Sequence, residues 1–398
     1  MTAHALPLPA AKQSQSAKPR PAPAAPTKEW WVEVADNRTA LESHMDAWQR
    51  LADEAVEANA FFEPALFLPA LDAFKPNVHC ALVYRHDPRP KQRPQLCGFF
   101  PLERRDRFKG LPVRSLRLWE HLYAFLCTPL VHREWARETL NTFFDWVDAS
   151  EKPDLLDWPK IHGEGPFQHA LIDVLTERRT LSFVDDMHAR AFLNRGIDAE
   201  SYCAAAMNHQ SRKEWRRQRR RLGEQGNLET RVLHASDDVE PWIAQFLELE
   251  ASGWKGLEHT ALARSDADRT YFRAITRNAH AMGRLQMLGI WFNGKPIALK
   301  CNFLAQDGGF AFKIAFDESY AKSSPGVQLE LDNIEELHRR PDLRWMDSCA
   351  IPGHFMINRL WKDRRTIQSI FLATSRFVGN AVVGALPMLR ACKRILRA

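Results

Sequence analysis

The sequence contains no uninterrupted apolar run long enough to cross a bilayer, which argues against a transmembrane helix. It contains no CxxC pair. The seven cysteines (Cys80, Cys97, Cys127, Cys203, Cys301, Cys349, Cys392) are odd in number and scattered. That distribution suits buried free thiols in a reducing compartment better than a disulfide framework or a zinc site, and no metal is expected. No large excess of either charge is present, since the formal net charge of +6 over 398 residues does not by itself imply nucleic acid. Residues 1–28 hold no acidic residue and are rich in Ala, Pro, Ser and Lys, so they read as an uncleaved, disordered leader. A glycine-rich phosphate fingerprint is also missing. Where the chain most resembles an anion site, Gly326 stands alone.

What is present describes a soluble globular protein: 45% hydrophobic and 26% charged residues, in a chain too long for one compact core. Order begins at Trp30 with a short strand, WWVEVA. A helical pattern follows, with Leu41, Met45, Trp48, Leu51 and Ala55 on one face. After a helix near 64–73 come strands at 78–84, 95–102 and 114–119, then a helix at 134–147, a strand at 154–157, a helix near 167–175 and a strand at 180–184. Helices at 237–249 and 266–281 open a second series, with strands at 284–292, 296–304 and 310–316 and Asn293–Gly294 as a hairpin turn. A helix, a strand at 343–349, a short helix at 355–361 and a strand at 366–372 complete it. The element order repeats. This predicts an α/β (α+β) protein of two duplicated units, 29–190 and 191–375, each with a mixed sheet, followed by a basic tail at 376–398.

Within the second unit, Phe310–Phe316 reads as a buried strand, Asp317–Lys322 as a turn, and Ser323 or Ser324 before Pro325 as a helix start. Such a helix aims its first free N–H groups, from Gly326 to Gln328, out of the end of the sheet. Gly326, without a Cβ, lets a phosphate approach the backbone. An ordinary strand-to-helix connection is the alternative.

This order is similar to the plan of the GNAT acyltransferases. ANAFFEPALFLPAL (58–71), LCGFFPLERR (96–105), SRKEWRRQRRRLGEQGNL (211–228), LELEASGW (247–254) and FKIAFDESYAKSSPGVQLELDNIEEL (312–337) resemble, in order, blocks of the CelD-type acetyltransferases associated with cellulose and exopolysaccharide biosynthesis. The plan also resembles the FemABX peptidoglycan transferases, which carry two GNAT-like halves. The resemblance implies tandem GNAT-like domains, each a mixed, mainly antiparallel sheet flanked by helices. It further implies an acyl-CoA donor, with the pantetheine arm between the strands 310–316 and 343–349 at their splayed ends. The backbone of Lys313, Ile314, Ala315 and Phe316 then bonds the pantetheine, and Lys322, Ser323, Ser324, Gly326, Val327 and Gln328 hold the pyrophosphate. The matching loop of the first half, YAFLCTPLV (123–131), has no Gly, so that half is expected to lack cofactor and to wall the acceptor groove.

Acyl transfer to an amine needs a base, a stabilised oxyanion and a proton for the leaving thiolate. Asp347 and His354 are the candidate bases by position, with a capping Asp and a surface His as the bland alternatives. Tyr320 is the candidate acid. The helix 355–361 contains no tyrosine, a departure from many GNAT enzymes. Asp317 and Glu318 either orient the acceptor or satisfy turn donors. Trp254 either stacks on an acceptor sugar or packs in the core. Glu120, His121 and Tyr123 are further acceptor-side candidates.

Seven of the ten residues from Arg212 to Arg221 are basic, after a Ser211/Glu214 capping-box spacing. The run reads as a polyanion-facing helix (CoA phosphates, an anionic glycan, lipid head groups or RNA) or as a solvated helix paired with acids. The tail carries Arg390, Lys393, Arg394 and Arg397. It either touches an anionic membrane surface or packs on the domain, the latter favoured because Gly384 and Pro387 weaken a continuous helix. The resulting expectation is a cytoplasmic acyltransferase, peripheral to the inner membrane face at most, acting on a small-molecule or glycan acceptor. No specific nucleic acid is expected. A FemABX-like aminoacyl-tRNA-dependent transferase and a non-catalytic polyanion binder are the alternatives.

Overall fold

The computed structural model describes residues 29–86, 93–252, 262–374 and 376–395. The leader, most of the 86–94 connector and Trp254 lie outside them. The first series comprises β1 (Trp30–Ala35), α1 (Arg38–Glu42), α2 (Met45–Glu54), α3 (Pro64–Phe74), β2 (Val78–Arg85), β3 (Gln95–Arg105), β4 (Ser115–Leu118), β5 (Leu130–Val131), α4 (Ala136–Trp146), β6 (Leu155–His162), α5 (Pro166–Glu177) and β7 (Ser182–Asn194). The second comprises α6 (Ala199–Ala206), α7 (His209–Gly223), β8 (Leu228–Val232), α8 (Glu240–Ser252), α9 (Asp266–Ala281), β9 (Leu285–Phe292), β10 (Lys295–Ala305), β11 (Gly308–Phe316), α10 (Pro325–Arg339), β12 (Trp345–Asp347), α11 (Ile357–Leu360), β13 (Asp363–Ala373) and α12 (Phe377–Ile395).

Local chemistry accounts for most of these boundaries. Pro64 opens α3 and Lys75 closes it in the left-handed region, while the Ser265 hydroxyl caps α9 by accepting from the Asp268 N–H at 2.9 Å. Asn293 and Gly294, with φ of +48° and +80°, make the tight β9–β10 hairpin. The basic helix begins earlier than the capping-box spacing suggests. Asn208 is its N-cap, accepting from the Ser211 N–H at 2.7 Å, so Ser211 lies inside the helix. In the tail, α12 runs unbroken through Gly384 and Pro387, although both residues weaken a helix.

All the strands join one mixed sheet in the order β1-β2-β3-β4-β6-β13-β7-β12-β11-β10-β9-β8, with β5 pairing β3 to one side. Pairing is antiparallel except for β4–β6 and β11–β12. The two series cross at the centre. β7, the last strand of the first, pairs β12 of the second, and β13, the last strand of the second, pairs β6 of the first. The expected domain boundary at residues 190 and 191 falls inside β7.

Apolar residues of α1 to α3, α8 and α9 pack into one shared core on one face of the sheet. On the other face, α4 and α5 cover the first series, while α6, α7, α10 and α11 cover the second. Val383 and Leu386 seat α12 on Phe108, Leu155 and Phe371, and Arg390 donates to the Val184 carbonyl at 3.0 Å.

Candidate active site

β11 and β12 run parallel through only three register pairs, Gly308↔Trp345, Gly309↔Met346 and Phe310↔Asp347. Beyond Phe310 they separate. β11 continues to Phe316 paired with β10, and no named strand of the described residues pairs with its other edge there. A bulge sits at this point: Cys301 opposes Lys313 and Asn302 opposes Ala311, which leaves Phe312 as the extra residue. On the other side of the gap, Cys349, two residues after the end of β12, takes a left-handed φ of +54°.

The first series contains an equivalent gap, because β4 and β6 part after Arg117↔Asp157. Its own chain fills it. The Cys127 N–H donates to Lys160 O at 3.0 Å and the Thr128 hydroxyl accepts from the His162 N–H at 2.9 Å. Asn59 Nδ2 pins the same segment by donating to the Leu126 and Thr128 carbonyls at 3.2 and 2.8 Å. A pantetheine arm has no room where these bonds lie.

In the second series the gap ends at the start of α10. Ser324 stands there in the left-handed region, φ +51°, and its hydroxyl makes no capping bond; the first turn carries no acidic residue. A Cβ on Gly326 would lie 3.2 Å from the Phe316 ring and 3.8 Å from Met356 Sδ, between the two chains that leave the gap. Any side chain there would crowd that ring, and uncapped first-turn donors at a residue without a Cβ suit a phosphate. Beneath the turn, α10 is anchored by a buried polar network. Lys300 Nζ pairs with Glu330 at 2.8 Å, and Asn333 bridges Glu330 to Asn302 through bonds of 3.0 and 2.8 Å.

The basic helix α7 lies against this turn and Trp215 O accepts from Gln328 Nε2 at 2.7 Å, which brings the run of cations beside the uncapped helix start. Arg219 grips Asp332 with bonds of 3.0 and 3.1 Å, Arg217 pairs with Glu214 at 2.6 Å, and Arg216 reaches Glu200 at 3.3 Å. Arg212 and Lys213 have no acidic partner among the described residues. Together with His209, Arg216, Arg217 and Arg220 they line a shallow cavity of about 260 Å³.

The first series supplies the wall opposite the bulge. Lys313 Nζ sits 3.0 Å from the buried Glu250 carboxylate and 5.5 Å from the centre of the Tyr123 ring. Tyr123 stacks on Tyr271 at 5.6 Å, and burial, reinforced by the Asp268 charge, pushes its hydroxyl pKa up. The His121 ring packs between Phe74 and Trp119, each 5.0 Å away, and its Nδ1 accepts from the Tyr123 N–H at 3.4 Å. Burial first, and then the Lys160 charge, push the His121 pKa down to about 3, so the imidazole is neutral near pH 7. Glu120 is bonded to Arg117 and sits 2.7 Å from Lys160. Desolvation raises its pKa, but those two cations outweigh it and hold the carboxyl low.

Asp347 is fully buried. Its Oδ2 accepts from Arg190 Nη2 at 2.6 Å and Arg365 Nη1 at 3.0 Å, and its Oδ1 from the Cys349 N–H at 2.9 Å. Desolvation works to raise its pKa, yet the two guanidinium charges prevail and lower it. A carboxylate so held is a poor proton acceptor, which corrects the expectation that Asp347 is the base. His354 lies half-buried in the loop between β12 and α11, stacked on Phe355 at 5.9 Å and two residues from Met356. Tyr320 packs on Phe292 at 5.7 Å, in the cluster that holds Leu222 of α7. Asp317 is a turn cap, accepting from the Ser319 N–H at 2.9 Å and hydroxyl at 2.7 Å; Glu318 is exposed in the same turn. Arg190, Arg365, Glu250 and Glu330 were not singled out from the sequence. Their stretches, DDMHARAF, KDRRTIQ, LELEAS and QLELDN, mix charged and apolar residues, so no local signal marks them.

Residues 209–355 match the family described as the acetyltransferase (GNAT) domain. No curated protein matches the chain. Among solved structures the chain is similar to a conserved protein of unknown function from Bacteroides thetaiotaomicron, with 12% identity over 86% of this chain and 100% of that one and a TM-score of 0.51. It is also similar to FemX, with 8% identity over 86% of this chain and 97% of that one and a TM-score of 0.56. A tandem GNAT protein from the clavulanic acid biosynthesis pathway overlays with a TM-score of 0.41, at 12% identity over 87% and 99% of the two chains. The fold is that of the GNAT acyltransferases, and the protein is an acyltransferase.

Proposed function

We propose that the protein transfers an acyl group, acetyl in the simplest case, from CoA to an amine or hydroxyl of a cell-envelope or exopolysaccharide-related sugar or its precursor. The observation that carries this reading is the gap between β11 and β12, which ends at an uncapped helix start flanked by a cationic helix. Acyl-CoA supplies the activated thioester. The backbone of β11 from Lys313 to Phe316 bonds the amides of the pantetheine arm, and a backbone N–H near the bulge at Phe312 polarises the thioester carbonyl. The first turn of α10, at Gly326 and Val327, takes the pyrophosphate, whereas the expected contribution of Gln328 is already used, its N–H bonding Ser324 O at 3.0 Å and its side chain Trp215 O at 2.7 Å, and Arg212 and Lys213 attract the remaining phosphate charge. Tyr123 and the Lys313–Glu250 pair orient the acceptor from the other side. The second series alone binds the donor, since the first closes its gap with Leu126–Thr128.

The test is donor binding. CoA at millimolar concentration should raise the melting temperature by several degrees, with affinity falling as salt rises. Gly326→Glu should abolish that shift in a protein that still melts cooperatively, somewhat below wild type because the new Cβ meets the Phe316 ring at 3.2 Å. Absence of any shift with CoA or acetyl-CoA sinks the proposal, and an acyl transfer that RNase abolishes would put an aminoacyl-tRNA donor in its place.

A further inference from the structure

A second concavity, of about 300 Å³, lies on the central seam of the sheet at the end away from the acyl gap. It opens where β7 ends and β12 and β13 begin. Phe192, Asn194, Trp345 and Arg365 line it from the strands, and Glu57 and His162 from the first series. Trp345 is the first residue of β12, whereas the gap opens only after Asp347.

Two observations point to a ligand. Arg365 is only 6% exposed, yet it makes a single hydrogen bond among the described residues, to Asp347 at 3.0 Å. Its Nη2 is 3.8 Å from Glu57, beyond bonding distance, and is the donor left for the cavity, whereas its Nε, also without an acceptor among the described residues, is closed to solvent. Buried guanidinium donors are rarely left unmet unless a water or ligand meets them. The second observation is an aromatic platform. Trp345 and Phe192 stack at 5.4 Å with 21° between their planes, and the guanidinium carbon lies 5.5 and 5.7 Å from the two ring centres.

The formal charges here already balance. Arg190, Arg344, Arg364 and Arg365 stand against Asp347, Glu57, Asp307 and Glu164: Asp347 bonds both Arg190 and Arg365, Glu57 accepts from His162 Nδ1 at 2.8 Å and from the Phe167 N–H at 3.1 Å, and Asp307 faces Arg344 at 3.6 Å. A ligand bringing a full charge would unbalance the set. One that brings hydroxyl oxygens for Arg365 and the Asn194 amide, with a ring face for Trp345, fits it. We infer that this cavity is a second ligand site, separate from the donor gap, for a neutral hydroxyl-rich ring with the chemistry of a sugar. Its size is at the small end of ligand pockets, suited to one such ring.

The site is tested on the full chain by calorimetry and ligand-observed NMR with glucose, N-acetylglucosamine and cellobiose, beside glucuronate and inorganic phosphate as charged probes. At least one neutral sugar should bind with a dissociation constant in the millimolar range or tighter. Asn194→Trp, which fills the mouth from an exposed position, should weaken that binding at least tenfold at an unchanged melting temperature and unchanged CoA affinity. Arg365→Lys, which keeps the charge and loses the planar donor fork, should weaken it similarly and guards against an uninformative fold defect. The inference is overturned if no neutral sugar binds, if Asn194→Trp binds like wild type, or if glucuronate or phosphate binds tightest and marks an anion site.

Discussion

Arg190 and Arg365 oppose each other directly across the β7–β13 ladder, an arrangement that repels unless an anion lies between them. Asp347, delivered by β12, is that anion. Removing one partner of a buried charge cluster leaves the others uncompensated, at a cost of about 3–5 kcal/mol. Asp347→Asn should therefore lower the denaturant midpoint markedly, and the surviving folded enzyme should retain the acidic limb of its pH–rate profile. A flattened limb with near-native stability would restore Asp347 as the base. His121 supports a second residue-level prediction. Its folded pKa of about 3 lies below its ordinary value near 6.5, so below that pH the unfolded chain takes up a proton that the folded one refuses. Stability should decline as pH falls from about 6.5, by up to roughly 1.4 kcal/mol per pH unit. Denaturant titrations of His121→Gln between pH 7.5 and 5 should show a shallower slope than wild type. At this scale the sequence revealed little, because the partners of Asp347 come from positions far away in the chain and no local spacing encodes them.

Elements were far more legible. The periodicity located the strands of both meanders and α9 almost to the residue, since long segments with one buried face carry a strong signal. The strand β8, the two-residue β5 and the short α6 are too brief to show one. The helix start was placed correctly from Ser324 and Pro325, although the Ser324 side chain makes no capping bond where a cap was expected. What holds that turn in place was invisible from the sequence: the Lys300–Glu330 pair, 4% and 0% exposed, which ties α10 to β10. Glu330→Gln strands the Lys300 ammonium in the core. It should destabilise the fold by about 3 kcal/mol or more and weaken CoA binding along with it. Lys300→Met with Glu330→Leu should recover much of the stability, and a double variant no better than the single would show that the network serves something other than charge pairing.

At the scale of the molecule, the repeated order of elements correctly suggested duplication, but order cannot say which half a terminal strand joins. Each series gives its last strand to the other: β7 lies against β12, and β13 between β6 and β7. Neither half is then complete alone. A fragment ending before Asp363 leaves β6 with a bare inner edge, ready for non-native pairing. Fragments 29–194 and 195–395 should each be insoluble or molten when expressed separately, and should regain a cooperative melting transition when co-expressed. Independent, cooperative melting of either fragment would refute this interdependence.

The position of β13 also bears on how the protein is made. β6 ends at His162, and the strand that covers its edge begins only at Asp363, about 200 residues later. At chain elongation rates of about 5–20 residues per second, the emerging first half stands open on the ribosome for roughly 10–40 seconds. Throughout that interval a hydrophobic strand edge faces other nascent chains of the same polysome. Yield should therefore respond more to chaperone supply and to slowed translation than the stability of the finished protein would suggest.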